Sequence, residues 1–226
     1  MKKAVVIFSG GQDSTTCLGW AKNRFDEVIA ITFEYGQKHN IEIERSKEIC
    51  KKLNVEQHII DISFFGELVD SALTHNGDVN KKHSRLTNLP ASFVPNRNQM
   101  FITIAHAFAQ KVDAKTLITG VCETDFSGYP DCRMDFILDI EQATNSGSDS
   151  DIYIEVPLMY LNKAETFAMA DIEGCLDVVI NNSHTCYNGD DKMNTWGYGC
   201  GECPSCNIRE NGWKEYINMI NNGDVK

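Results

Sequence analysis

Apolar runs and amphipathic stretches alternate along most of the chain. Residues 4–8 form an unbroken apolar, β-branched run, as expected of a parallel strand covered on both faces. Residues 28–33 repeat that signature, and further strands are expected at 55–60, 116–121 and 152–156. Between these strands, helical spacing is read at 15–24, with Cys17, Leu18 and Ala21 on one face, and at 41–53. Further helices are expected at 63–73, at 98–112 with Phe101, Ile104, Ala105 and Phe108 buried, and at 134–144. Asn162 and Glu165 have capping-box spacing, which starts a helix at Lys163. A last helix spans 207–220, with Ile208, Trp213, Tyr216, Ile217 and Ile220 as its apolar contacts. Strands alternating with helices predict an α/β fold built on an open parallel sheet. Residues 74–90 are polar and aperiodic; a stretch of that length reads as a mobile lid or a disordered segment, with His75 and His83 solvated.

Length, charge and cysteine count narrow this picture. A chain of 226 residues fits one large α/β domain, placed at 1–180, with a small appended module at 181–226. The net charge of −11 provides no surface-wide basic field, which argues against a polynucleotide substrate. No signal-peptide pattern opens the chain and no apolar run is long enough to span a bilayer, so a cytoplasmic, membrane-free protein is expected. Nine cysteines are many where disulfides are rare, so clustered ones are read as metal ligands.

Candidate chemistry sits where strands end. After residues 4–8 comes S-G-G-Q-D-S-T-T, with Asp13 and Ser14 available to cap a helix beginning near Thr15. A strand, a glycine turn and a helix N-terminus make an anion site, because glycines admit a close backbone and the orphan N–H groups favour phosphate. The turn lacks the Walker lysine and the spacing of the dinucleotide motif. Tyr35, Gln37 and His39 follow the second strand, as adenine or ribose contacts or as a plain turn about Gly36. Arg97 and Lys163 fall at helix starts, where the dipole disfavours a cation; a nearby anionic ligand would reverse this, and solvation is the alternative. Residues 122–133, C-E-T-D-F-S-G-Y-P-D-C-R, also leave a strand; Cys122 and Cys132 there are read as packing residues, with lining of a pocket as the alternative. Cys186, Cys200, Cys203 and Cys206 give C-x13-C-x2-C-x2-C, the pattern of a closed tetrahedral zinc site with a folding role. A redox pair or an iron–sulfur cluster is the chemical alternative.

The segment S-G-G-Q-D-S resembles the PP-loop of the ATP pyrophosphatases, which cut ATP between its α and β phosphates. Taken with Y-G-Q-K-H, F-V-P-N-R-N, D-F-S-G-Y-P-D-C-R, P-L-M-Y-L-N-K-A-E-T and G-C-G-E-C-P-S-C, the chain resembles the QueC, or 7-cyano-7-deazaguanine synthase, family over nearly its full length. The resemblance implies a Rossmann-like fold of the adenine nucleotide alpha hydrolase type with a C-terminal zinc module. It also implies conversion of 7-carboxy-7-deazaguanine and ammonium to the nitrile with ATP, in a homodimer; the acidic charge leaves no direct nucleic-acid partner expected. ATP would be held by Phe8, Ser9, Gly10, Gly11, Gln12, Asp13, Ser14, Thr15, Thr16 and Tyr35, with Asp13 placing Mg2+. Lys163 and Arg97 would stabilise charge on the departing phosphates, while Arg97, Asp125, Tyr129 and Arg133 would bind the base. Two departures are the long spacer between Cys186 and Cys200 and Asn96 in place of a small residue. Another PP-loop enzyme, of the tRNA thiolation or amidotransferase type, and a catalytically silent zinc-knuckle module are the competing readings.

Overall fold

The computed structural model describes residues 1–124 and 128–224. Five strands, β1 (Lys3–Ile7), β2 (Glu27–Glu34), β3 (Glu56–Asp61), β4 (Thr116–Ile118) and β5 (Tyr153–Glu155), form one sheet in the order β3-β2-β1-β4-β5. Every pairing is parallel, with Val5 beside Ile29 on one side and Leu117 on the other. The order reverses between β1 and β4. Such a switch point opens a crevice at the carboxyl ends of the strands.

Side chains of successive residues go to opposite faces, and two cores result. Val5, Leu117 and Ile154 pack with Ile102 and Ala105 of α4 (Arg97–Lys111) and Ile137 of α5 (Met134–Ser148). Ala4, Val6 and Ile118 pack on the other face with Cys17 and Leu18 of α1 (Gln12–Lys22) and Ile49 of α2 (Ile41–Leu53). Beyond the sheet, α6 (Lys163–Ile172), α7 (Leu176–Asn182) and α8 (Pro204–Asn222) share a third core around Phe167, Val179 and Tyr216. The Tyr216 hydroxyl donates to Asp171 Oδ2 at 2.8 Å, which satisfies the polar end of that core. No described helix is long and apolar enough to cross a membrane.

Several boundaries differ from the sequence expectation. Helix α1 begins at Gln12, with Gly11 in the N-cap position and no side-chain cap, so Asp13 and Ser14 belong to its first turn. The helix expected at 63–73 is a five-residue α3 (Phe64–Leu68), because the chain turns extended at Val69. Strand β4 stops at Ile118. Two residues later, a side chain at Gly120 would stand 3.2 Å from the backbone of Asp13 and Ser14, so β4 runs straight into the start of α1. Helix α7 has no counterpart in the sequence reading. The capping box does: Asn162 Oδ1 accepts from Glu165 N–H, and Glu165 accepts from Asn162 N–H.

The 74–90 stretch is tied down rather than solvated throughout. Ala91 N–H donates to Lys81 O, and His83 N–H donates to Leu89 O. His83 is buried; its Nε2 lies 2.7 Å from Asp70 O and its Nδ1 accepts from the Arg85 and Leu86 amides. Val79 and Ala72 pack against Cys186, Cys203 and Cys206, so this segment covers the thiol cluster.

Candidate active site

The loop between β1 and α1 is shaped by two glycines. Gly10 has φ +83°, and a Cβ there would stand 2.7 Å from Glu42 O and 2.9 Å from Ser46 N. Only a glycine lets the loop and the first turn of α2 approach this closely. Ser9 and Ser14 close the loop internally: their hydroxyls are 3.1 Å apart, and Ser14 Oγ accepts from Ser9 N–H at 3.2 Å. Thr15 and Thr16 are fully buried, and their hydroxyls donate to Gly11 O and Gln12 O within α1.

Above this loop, at the switch point, lies a cavity of about 290 Å³. One end is anion-seeking. Ser9, Gly11, Gln12, Asp13 and Ser14 line it, and Lys163 Nζ donates to both oxygens of Asp13 at 2.9 Å. Lys163 is the first residue of α6, placed by the capping box, and Gly212 of α8 fixes its stem: a Cβ there would stand 2.6 Å from Lys163 Cβ. The Gln12 Nε2 amide is buried without a partner among the described residues, a group left for a ligand to satisfy.

Arg209 of α8 completes that end. It is 1 % exposed, and it donates to Trp196 O, Val179 O and Thr185 Oγ1 at 2.9, 2.8 and 3.2 Å. No carboxylate pairs with it among the described residues. Burial therefore lowers its pKa to about 10, with the charge of Asp13 opposing the shift.

The other end carries Arg97, Tyr35, Phe101, Asn98, Tyr129, Tyr187 and Glu42. Burial works against the Arg97 charge, but Tyr35, Asp131 and Tyr129 outweigh it and hold the guanidinium above its ordinary pKa. Asp131 Oδ2 accepts from Asn98 N–H at 3.2 Å, which anchors the first turn of α4. The Tyr129 and Ser92 hydroxyls are 2.7 Å apart. Burial raises Glu42 to about 7, with Arg97 pulling it down and Cys186 pushing it up.

The sequence-derived site residues thus divide. Ser9, Gly11, Gln12, Asp13, Ser14, Tyr35, Arg97, Tyr129 and Lys163 meet at the cavity. Phe8, Thr15 and Thr16 are buried beneath it, and Gly10 faces α2. Arg133 does not reach it: this exposed residue occupies the N-cap of α5. Asp125 lies outside the described residues. Cys122 and Cys132, read as packing residues with pocket lining as the alternative, line the cavity. Sequence reasoning passed over Glu42 and Arg209. Arg209 carried a signal, a charge on a helix face shared with Trp213 and Tyr216, whereas Glu42, one turn from Arg45 and Ser46, carried none.

Beside the cavity, the sulfurs of Cys186, Cys200, Cys203 and Cys206 lie within 4.8 Å of one another. Tetrahedral zinc thiolates stand about 3.8 Å apart on the edges set by ordinary Zn–S bonds, and Cys200 and Cys206 are separated by 3.9 Å. The donor set fits a four-thiolate metal centre. Cys203 is the N-cap of α8 and Cys206 lies in its first turn. The segment just before the first ligand touches the phosphate loop, since His184 N–H donates to Gly10 O at 3.0 Å.

Fold and site together define a class: an α/β protein of the PP-loop type with a four-cysteine centre packed on its anion pocket. The chain belongs to the QueC family, whose sequence model, described as Queuosine biosynthesis protein QueC, matches residues 3–217. It is similar to the 7-cyano-7-deazaguanine synthase of Wolinella succinogenes, with 55 % identity over 216 residues, 94 % of this chain and 93 % of that one. The 7-cyano-7-deazaguanine synthase of Helicobacter pylori strain HPAG1 is 49 % identical over 219 residues, 96 % of each chain. Among solved structures, a 4-thiouridine synthetase–RNA complex with bound ATP superposes with a TM-score of 0.54 at 19 % identity, over 96 % of this chain and 51 % of that one; the likeness is one of fold.

Proposed function

We propose that this chain is an ATP-dependent ligase that turns 7-carboxy-7-deazaguanine and ammonia into 7-cyano-7-deazaguanine. The observation that carries the reading is a single cavity in which a phosphate-gripping loop and the Arg97 wall face the same space. It stands in a chain 55 % identical to a 7-cyano-7-deazaguanine synthase.

A carboxylate is a poor acyl donor, because its leaving group would be oxide. Attack of a carboxylate oxygen on the α-phosphorus of ATP expels pyrophosphate and installs AMP as the leaving group. Ammonia then adds to the carbonyl carbon, AMP departs, and the amide forms. A second ATP adenylates the amide oxygen, and loss of AMP with the nitrogen protons leaves the nitrile. Both carboxylate oxygens depart on AMP, so the sum balances at two ATP per nitrile.

In this scheme the loop backbone, Ser9 and Ser14 cradle the departing pyrophosphate, and Lys163 and Arg209 lie where its negative charge grows. Asp13 would hold the Mg2+ that accompanies ATP. Arg97 would face the substrate carboxylate, and Tyr129 and Tyr35 would flank the base. Zinc in the four-thiolate centre supplies folding energy, since a closed site leaves no position for substrate. A cytoplasmic homodimer without direct nucleic-acid contact completes the reading, the last point supported by the net charge of −11.

The test supplies purified protein with ATP, Mg2+, ammonium and substrate labelled with oxygen-18 in the carboxylate. Mass spectrometry is expected to find the nitrile and both labels in AMP. Unlabelled AMP, or no nitrile from folded, metal-loaded protein, would overturn the reading.

A further inference from the structure

The cavity lining includes two carboxylates that are not equivalent. Asp13 gives both oxygens to Lys163. Glu42 accepts no hydrogen bond and joins no ion pair among the described residues, although it lines the same space and Arg97 is near enough to act on its charge. Its backbone is held close to the loop after β1, since a Cβ at Gly10 would stand 2.7 Å from Glu42 O. In its ionised form Glu42 offers an open pair of acceptors in a cavity that Tyr35, Phe101, Tyr129 and Tyr187 also line, which suits a planar ring with two adjacent donors. A guanine-type base has that edge: its ring N–H and exocyclic amino group stand side by side and match the two oxygens of a carboxylate.

We propose that Glu42 accepts these two donors and thereby selects bases that carry the amino group. The inference rests on the preceding reading, that a carboxylated deazaguanine is the substrate. The competing occupant is the ammonium co-substrate, which would meet a like charge in Arg97. A ribose hydroxyl of ATP is the other, and it would tie Glu42 to the KM for ATP.

The experiment compares wild type, Glu42→Gln and Glu42→Asp on 7-carboxy-7-deazaguanine and on the analogue lacking the exocyclic amino group. Hydrogen bonds to a charged partner set the scale, so wild type is expected to lose about 10- to 100-fold in kcat/KM on the analogue. Glu42→Gln places an amide N–H against the base donors; it should lose a similar factor on the parent and discriminate little between the two. Glu42→Asp keeps the acceptors and should keep the discrimination at a lower rate. The KM values for ATP and ammonium should stay within about twofold in each variant, and zinc content should match wild type. Unchanged discrimination in Glu42→Gln, or a shift in the ammonium or ATP KM instead of the base, overturns the assignment alone. A wild type that forms no nitrile overturns the preceding reading and this one together.

Discussion

Lys163 shows how one side chain is prepared before any substrate arrives. Its ammonium donates to both oxygens of Asp13, its stem is wedged against Gly212, and its backbone position is set by the Asn162–Glu165 cap. In the proposed reaction, little conformational freedom would remain to be lost when a phosphate takes its charge. Lys163→Met keeps the stem and removes the charge. It is expected to lower kcat by about 100- to 1000-fold, in line with the loss of one preorganised charge-stabilising donor, with the zinc content unaltered. Pyrophosphate release at saturating ATP is the measurement, and an unchanged kcat would remove Lys163 from the reaction. Thr15 and Thr16 give the contrast. Residue type offers them as phosphate ligands, yet their hydroxyls donate to Gly11 O and Gln12 O. Motif position alone does not distinguish a hydroxyl facing the ligand from one facing its own helix.

At the scale of elements, α8 joins the metal centre to the anion pocket. Cys206, Arg209, Gly212 and Tyr216 succeed one another at helical spacing and serve in turn the thiol cluster, the cavity, Lys163 and the third core. Gly212→Ala tests that arrangement. Its methyl group would meet Lys163 Cβ at 2.6 Å, an overpacking expected to cost about 1–3 kcal/mol and to displace the ammonium. Thermal unfolding should shift down, and activity should fall by more than the loss of folded protein accounts for, with four thiols still ligating zinc. The central strands β1 and β2 were legible because buried parallel strands are rich in apolar residues, and α6 because its cap is local. The start of α1 was misplaced because Asp13 and Ser14 have the chemistry of caps while Gly11 occupies the position. Glu42, Arg209 and Gly212 owe their roles to partners distant in sequence, and the local pattern marked only Arg209, as a charge on an apolar stripe.

For the molecule as a whole, the strand order decides where everything meets. The reversal between β1 and β4 opens the crevice into which Ser9, Arg97, Lys163 and Arg209 all come, from the first loop to the last helix. The segment at 72–91 lies over the thiol cluster, so the centre is shielded on its outer side. Cys206 and Arg209 are three positions apart, less than one helical turn. With zinc bound in the proposed centre, such nearness would make the working lifetime of the catalyst depend on the metal. As the protein ages at elevated temperature, zinc escape into a chromogenic chelator and decay of nitrile synthesis should follow one time course, and added zinc should slow both together. If activity decayed while the metal stayed in place, the clock would lie elsewhere in the fold.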